Sequence, residues 1–137
     1  MMDDIVFPYS HETWGVTVSV LPEYVEDDSD PGKRRFVWRY TVQIDNNVDH
    51  TIQLINRHWE ITDAVGRRQI VDGEGVVGEQ PVLHPGESYL YVSGCPLPEP
   101  SGMMAGHYGM RREDGEEFRV TIPAFSLDSP YETARAN

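Results

Sequence analysis

Cys95 is the only cysteine in the 137-residue chain. That excludes an intrachain disulfide and fits a reducing compartment. No apolar run approaches the ~20 residues a membrane helix needs, so membrane insertion is not expected. The opening stretch, MMDDIVFPYSHETWG, has carboxylates where a secretory signal carries positive charge, and no apolar segment follows. A cytoplasmic location is the expectation. Basic residues are also scarce, with eleven Lys and Arg against twenty-three Asp and Glu and a formal charge of −12. Such a chain repels a polyanion. Its short basic clusters, Lys33-Arg34-Arg35, Arg67-Arg68 and Arg111-Arg112, read as solvated strand ends, so nucleic acid is not an expected partner.

Catalytic constellations are missing as well. There is no G-x-S-x-G elbow, Cys95 sits among prolines, and the many carboxylates offer no distinguished acid–base pair. The five histidines, at 11, 50, 58, 84 and 107, show no zinc-type spacing. His58 and His84 are the candidates for direct contact with a divalent cation, His58 also reading as a structural, hydrogen-bonded histidine. The acidic loop from Glu23 to Gly32 shares only composition with a calcium loop, since the EF-hand spacing is not met. A non-enzymatic protein is the expectation.

Helical periodicity is absent, and alternation takes its place. Val16, Val18 and Val20 share a face; so do Phe36, Trp38, Tyr40, Val42 and Ile44. The strand beginning at Ile52 changes parity, from Ile52 and Leu54 to Trp59 and Ile61, which predicts a bulge near residues 55–58. Strands are also predicted over 67–71, 88–93 (buried on both faces), 102–112 and 118–122, with a loop over 94–102 and a last short segment at 125–127. Asp114-Gly115 marks a two-residue hairpin. Roughly eight strands at about 8–12-residue spacing predict an all-β fold, an immunoglobulin or fibronectin type III-like antiparallel β-sandwich, with a closed barrel as the alternative. The domain is expected over 14–130, after an irregular leader (1–13) and before a flexible tail (131–137). Exposed sheet edges make a homodimer one expectation.

The run Gly73-Glu74-Gly75-Val76-Val77-Gly78 meets the G-x-G-x-x-G spacing of phosphate loops. In a dinucleotide fold that spacing works because a helix follows and aims its amides at the pyrophosphate. Glu79-Gln80-Pro81 and Pro85-Gly86 cannot build one. Two readings stand: a tight link between sheets that uses positive φ, or a helix-free amide nest holding an anion such as pyrophosphate. Gly73, Gly75 and Gly78 would form that nest, with Arg67 and Arg68 as nearby cations.

The blocks Arg57-His58-Trp59, Ile61-Thr62-Asp63, Gly73 to Pro81, Pro85-Gly86-Glu87 and Gly102-Met103-Met104 to Met110 resemble the ApaG (CorD) family over about residues 16–130. The acidic insertion at 26–30 and the leader lie outside those motifs. The resemblance implies a fibronectin type III-like sandwich and a link to cobalt resistance and magnesium efflux, without an enzymatic activity. It also implies a protein-interaction role, as related eukaryotic domains suggest, and so an unidentified protein partner. The family's glycine motif has been likened to a pyrophosphate loop, which carries over to Gly73, Gly75 and Gly78. The alternative function is a small-ligand sensor that binds pyrophosphate, nucleotide or metal–nucleotide there.

Overall fold

Period-two alternation demands a partner surface for each apolar face, and two facing sheets supply it. The computed structural model describes residues 5–131. The expected tail lies outside that range except for Tyr131, as do residues 1–4 of the expected leader. The strands are β1 (Tyr9–Thr13), β2 (Val16–Tyr24), β3 (Phe36–Asn46), β4 (Ile52–Asp63), β5 (Arg68–Glu74), β6 (Val82–Leu83), β7 (Ser88–Leu97), β8 (Gly102–Arg112) and β9 (Glu117–Leu127). One sheet runs β1-β2-β3-β7; the other runs β5-β4-β8-β9, with β6 also paired to β4. All the pairings are antiparallel. This is the immunoglobulin or fibronectin type III-like sandwich, and the hydrogen-bonded order stays in two sheets instead of closing into a barrel.

The predicted faces are the core faces. Val16, Val18, Val20, Val42 and Ile44 are fully buried, and they meet Leu54, Met104, Tyr108 and Met110 of the other sheet. The predicted bulge falls at Ile55, between the paired positions Leu54 and Asn56. A second register shift, opposite Met104–Gly106, lets β9 run through Pro123 and turn Phe118 (partly buried), Val120 and Ile122 to the core on one parity and Phe125 and Leu127 on the other. The separate segment expected at 125–127 is therefore the end of β9.

Three further expectations are corrected. Residues 9–13 of the leader are strand β1, held by pairing with β2. Cys95-Pro96-Leu97 continue β7, because that strand lies at the sheet edge, where a proline can point its missing donor away from β3. The outer face of β7 is open: Leu90 and Val92 are half exposed, so its apolar run does not mean burial on both sides.

The two flanks of the sandwich differ. On one, β1 is stitched to β9 by Tyr9 Oη with Ser126 Oγ at 3.1 Å and by the Thr121 amide donating to Thr13 Oγ1 at 3.1 Å. On the other, the edge strands β5 and β7 line a common cleft, and among the described residues no hydrogen bond joins the two strands. That open flank lies beside the glycine run.

Candidate functional site

β5 pairs with β4 from Asn56 to Thr62, and β6 pairs with it again at Ile52 and Gln53. The two strands form one interrupted edge, and the chain between them is an excursion at the Ile55 bulge. The Gly75 amide donates to the Ile55 carbonyl at 2.8 Å and Gln80 Nε2 donates to the same oxygen at 2.9 Å. Val76, 1% exposed, plugs the core beneath. Val76 and Glu79 then exchange two backbone bonds of 2.8 and 2.9 Å around Val77 and Gly78, whose φ values are +44° and +82°. Two consecutive positive φ values define a type I′ hairpin turn. The glycine motif is a miniature hairpin, and no helix follows it. The amides of Gly75, Val76 and Glu79 are spent on backbone carbonyls, so they cannot also cradle a phosphate.

The individual glycines have separate reasons. A Cβ at Gly75 would sit 2.2 Å from the Glu79 carbonyl oxygen. One at Gly73 would lie 2.7–2.8 Å from three atoms of the Arg57 guanidinium, which rests against the Gly73 backbone. Gly73 seats an arginine. Arg57 Nη1 in turn donates to the carbonyls of Glu74 and Gly75, at 3.0 and 2.8 Å, and clamps the start of the excursion. Sequence reasoning missed Arg57, although the signal was present. Past the bulge, the parity that turns Trp59 and Ile61 inward also turns Arg57 inward, a cation at a core-facing position.

Arg67 and Arg68 do not join the glycine run. Arg68 pairs with Thr62 and Gly73 with Arg57, five residues apart on β5, or about 17 Å of extended strand. Arg67 instead binds Asp63, Nε to Oδ2 at 3.1 Å, and buried Glu99 at 3.2 Å. Arg68 binds Glu60 at 2.5 Å. Burial pushes the Asp63 carboxyl upward, but the Arg67 and Val65 amides and the Arg67 guanidinium outweigh it and hold its pKa below the usual value.

On the outer face of the second sheet, β5, β4 and β8 bring Asp72, His58 and His107 into one row. His58 is 23% exposed; its Nδ1 lies 2.6 Å from Asp72 and its Nε2 3.2 Å from Glu60. The hydrogen bond to Asp72, then that to Glu60, raises its pKa. His107 stacks on it with ring centroids 4.8 Å apart; burial, then the charge of Arg119, lowers the pKa of this second imidazole. These groups line an open groove of about 870 Å³ that also includes Asn56, Gly109 and Arg119. Both ring nitrogens of His58 face carboxylates, which favours the protonated ring, and a protonated imidazole has no lone pair to give a metal. His84 lies off the end of β6 and bonds Thr51 through Nδ1 at 3.0 Å, roughly 20 Å along β4 from His58. The two histidines are not brought together. Among the described residues, no three His, Cys, Asp or Glu side chains are arranged to hold a metal ion. Likewise, no helix among them is long and apolar enough to cross a membrane.

The fold and these features define a class first: a two-sheet β-sandwich with an edge excursion clamped by an inward arginine. The comparisons give the family. The family model described as the ApaG domain matches residues 26–112. Protein ApaG of Paramagnetospirillum magneticum is 57% identical over 129 residues, 94% of this chain and 99% of its own length. Protein ApaG of Maricaulis maris is 57% identical over 122 residues, 89% of this chain and 94% of its own. A crystal structure from Bordetella pertussis, described as that of an ApaA protein, superposes with a TM-score of 0.82 at 49% identity and covers 92% of this chain and 98% of its own. The chain belongs to the ApaG family.

Proposed function

We propose that the chain is a non-enzymatic interaction module, acting through protein contacts in divalent-cation homeostasis, with the hairpin tip at Val77-Gly78 in its contact surface. One observation carries this reading. Val77 is a β-branched residue at φ +44°, and it is 54% exposed. A left-handed conformation costs an L residue about 1–2 kcal/mol, and exposed strain that no packing requires clusters at functional positions. The tip is stiff: Arg57 and Gln80 brace its base, and Tyr89 Oη donates to Glu79 Oε1 at 2.8 Å. A preorganised apolar knuckle loses little entropy on docking. The link to cation handling comes from the family alone.

The test is a photo-crosslinking residue placed at position 77 and, as a control, at exposed Lys33 of the full chain in its host. A partner captured at 77 and not at 33, and lost when Val77 is asparagine in a chain crosslinked from Gly78, supports the reading. Equal capture at both positions sinks it. So does turnover of a nucleotide or phosphoester by the purified chain. A pyrophosphate titration with and without magnesium, followed by amide shifts at residues 73–78, decides against the module and for the sensor if those shifts saturate.

A further inference from the structure

Arg57 clamps the excursion through one nitrogen only. Its Nη1 serves the Glu74 and Gly75 carbonyls, while Nε and Nη2 have no protein acceptor among the described residues. Nor does any carboxylate of the described residues pair with it. The guanidinium is half-buried, bordering the outer groove as well as the inner flank, and its remaining donors are open to a ligand. Such a ligand has room. The open flank between β5 and β7 holds a cavity of about 260 Å³ with Arg57 on one wall, Gln69 and Val71 of β5 beside it, and Ser93 of β7 opposite. Tyr40 and Trp59 form its aromatic floor. Tyr40 and Tyr91 both lie within the field of Arg57, which opposes the upward push that burial gives their phenols.

We propose that this cleft is a carboxylate-binding site in which the free edge of the Arg57 guanidinium takes the acid group of a small monocarboxylate with an apolar body. The guanidinium fork matches carboxylate geometry. A dianionic phosphate would need further cations or amides, and the nearest loop amides are already bonded. The floor of Tyr40 and Trp59 suits an apolar body, and the volume falls below the ~300–1,000 Å³ of drug-sized sites. Elsewhere the chain is strongly acidic, at −12 overall, so a polyanion is repelled before it reaches the cleft. The proposal stands independently of the protein-contact reading, since the Val77 tip takes no part in it.

The experiment is an NMR titration of the full chain with acetate, butyrate and phenylacetate, read at the Arg57 Nε–Hε resonance and at the amides of Gln69, Ser93 and Gly94. Expected are shifts that saturate in the millimolar range, persist in 0.15 M sodium chloride, and tighten from acetate to phenylacetate. Arg57→Met should weaken binding at least tenfold. Because that variant also loosens the excursion, Val71→Phe, which fills the cleft and leaves Arg57 in place, should do the same with an otherwise native spectrum. A short peptide with a free apolar C-terminus, compared with its amide, separates a free acid from a chain terminus as the source of the carboxylate. Shifts that appear equally at exposed Arg111, or vanish in salt, overturn the site. Inorganic phosphate binding more tightly than butyrate at the same reporters overturns its ligand class.

Discussion

Replacing Val77 with asparagine should stabilise the protein. The excursion needs positive φ at two successive residues, and only Gly78 of the pair suits it; Val77 sits at φ +44°. Relief of a left-handed L residue is worth about 1–2 kcal/mol, most for a β-branched side chain, and asparagine visits that region readily. The loss on the other side is small. Val77 is already 54% exposed, so the missing methyl groups sacrifice about 0.5 kcal/mol of burial. Asparagine before glycine is also the favoured pair for a type I′ turn. The net gain is about 1 kcal/mol, or a rise in Tm of about 3–5 °C for a domain of this length. Thermal and urea melts of both chains, with unchanged m-value, measure it. A Tm equal to or below that of the parent would refute the argument, because the strain would then be absent or repaid by packing of Val77. If the variant is more stable and also loses its partner, stability and function are being traded at one residue.

Gly106→Ala should cost more than about 3 kcal/mol, since its Cβ would lie 2.0 Å from the His58 carbonyl oxygen on the neighbouring strand, where only backbone movement makes room. Gly115→Ala, with open space but φ +90°, should cost only about 1–2 kcal/mol, and comparable urea midpoints for the two would contradict this. The two stacked histidines should titrate on opposite sides of 6.5 by ring-proton NMR, His58 above and His107 below. The raised pKa of His58 means its contribution to stability is complete below about 6.5 and is lost as pH climbs through the folded value. His107 runs the other way, its contribution present above about 6.5 and lost as pH falls. His58→Gln should remove the alkaline-side loss, and an unchanged pH–stability curve would dismiss the Asp72 and Glu60 contacts as its cause. Cys95 is 5% exposed and burial pushes its thiol up to about 11, so a thiol reagent at neutral pH should modify it only under unfolding conditions. Rapid labelling of the native chain would show that the edge strand opens.

The amino-acid sequence by itself determined the strand faces, because alternation has one solution once a core must be buried: Val16 to Val20 and Phe36 to Ile44 point where their period says. It also determined the bulge at Ile55, since a parity change within one strand has few other causes, and it ruled out a helix after Gly78 because Pro81 and Pro85 forbid one. What it lacked was the meeting of residues distant along the chain. The glycine spacing is the same whether the loop holds a phosphate or an arginine. Only the register that sets Gly73 beside Arg57 decides for the arginine, and only the length of β5 carries Arg67 and Arg68 away. In the sequence His58 stands alone, and Asp72 and His107 become its neighbours only through cross-strand pairing with β5 and β8. Local pattern fixes which way a side chain points, through backbone geometry within a few residues. Which charges meet across strands depends on long-range register, and that is settled by the burial of the whole core at once.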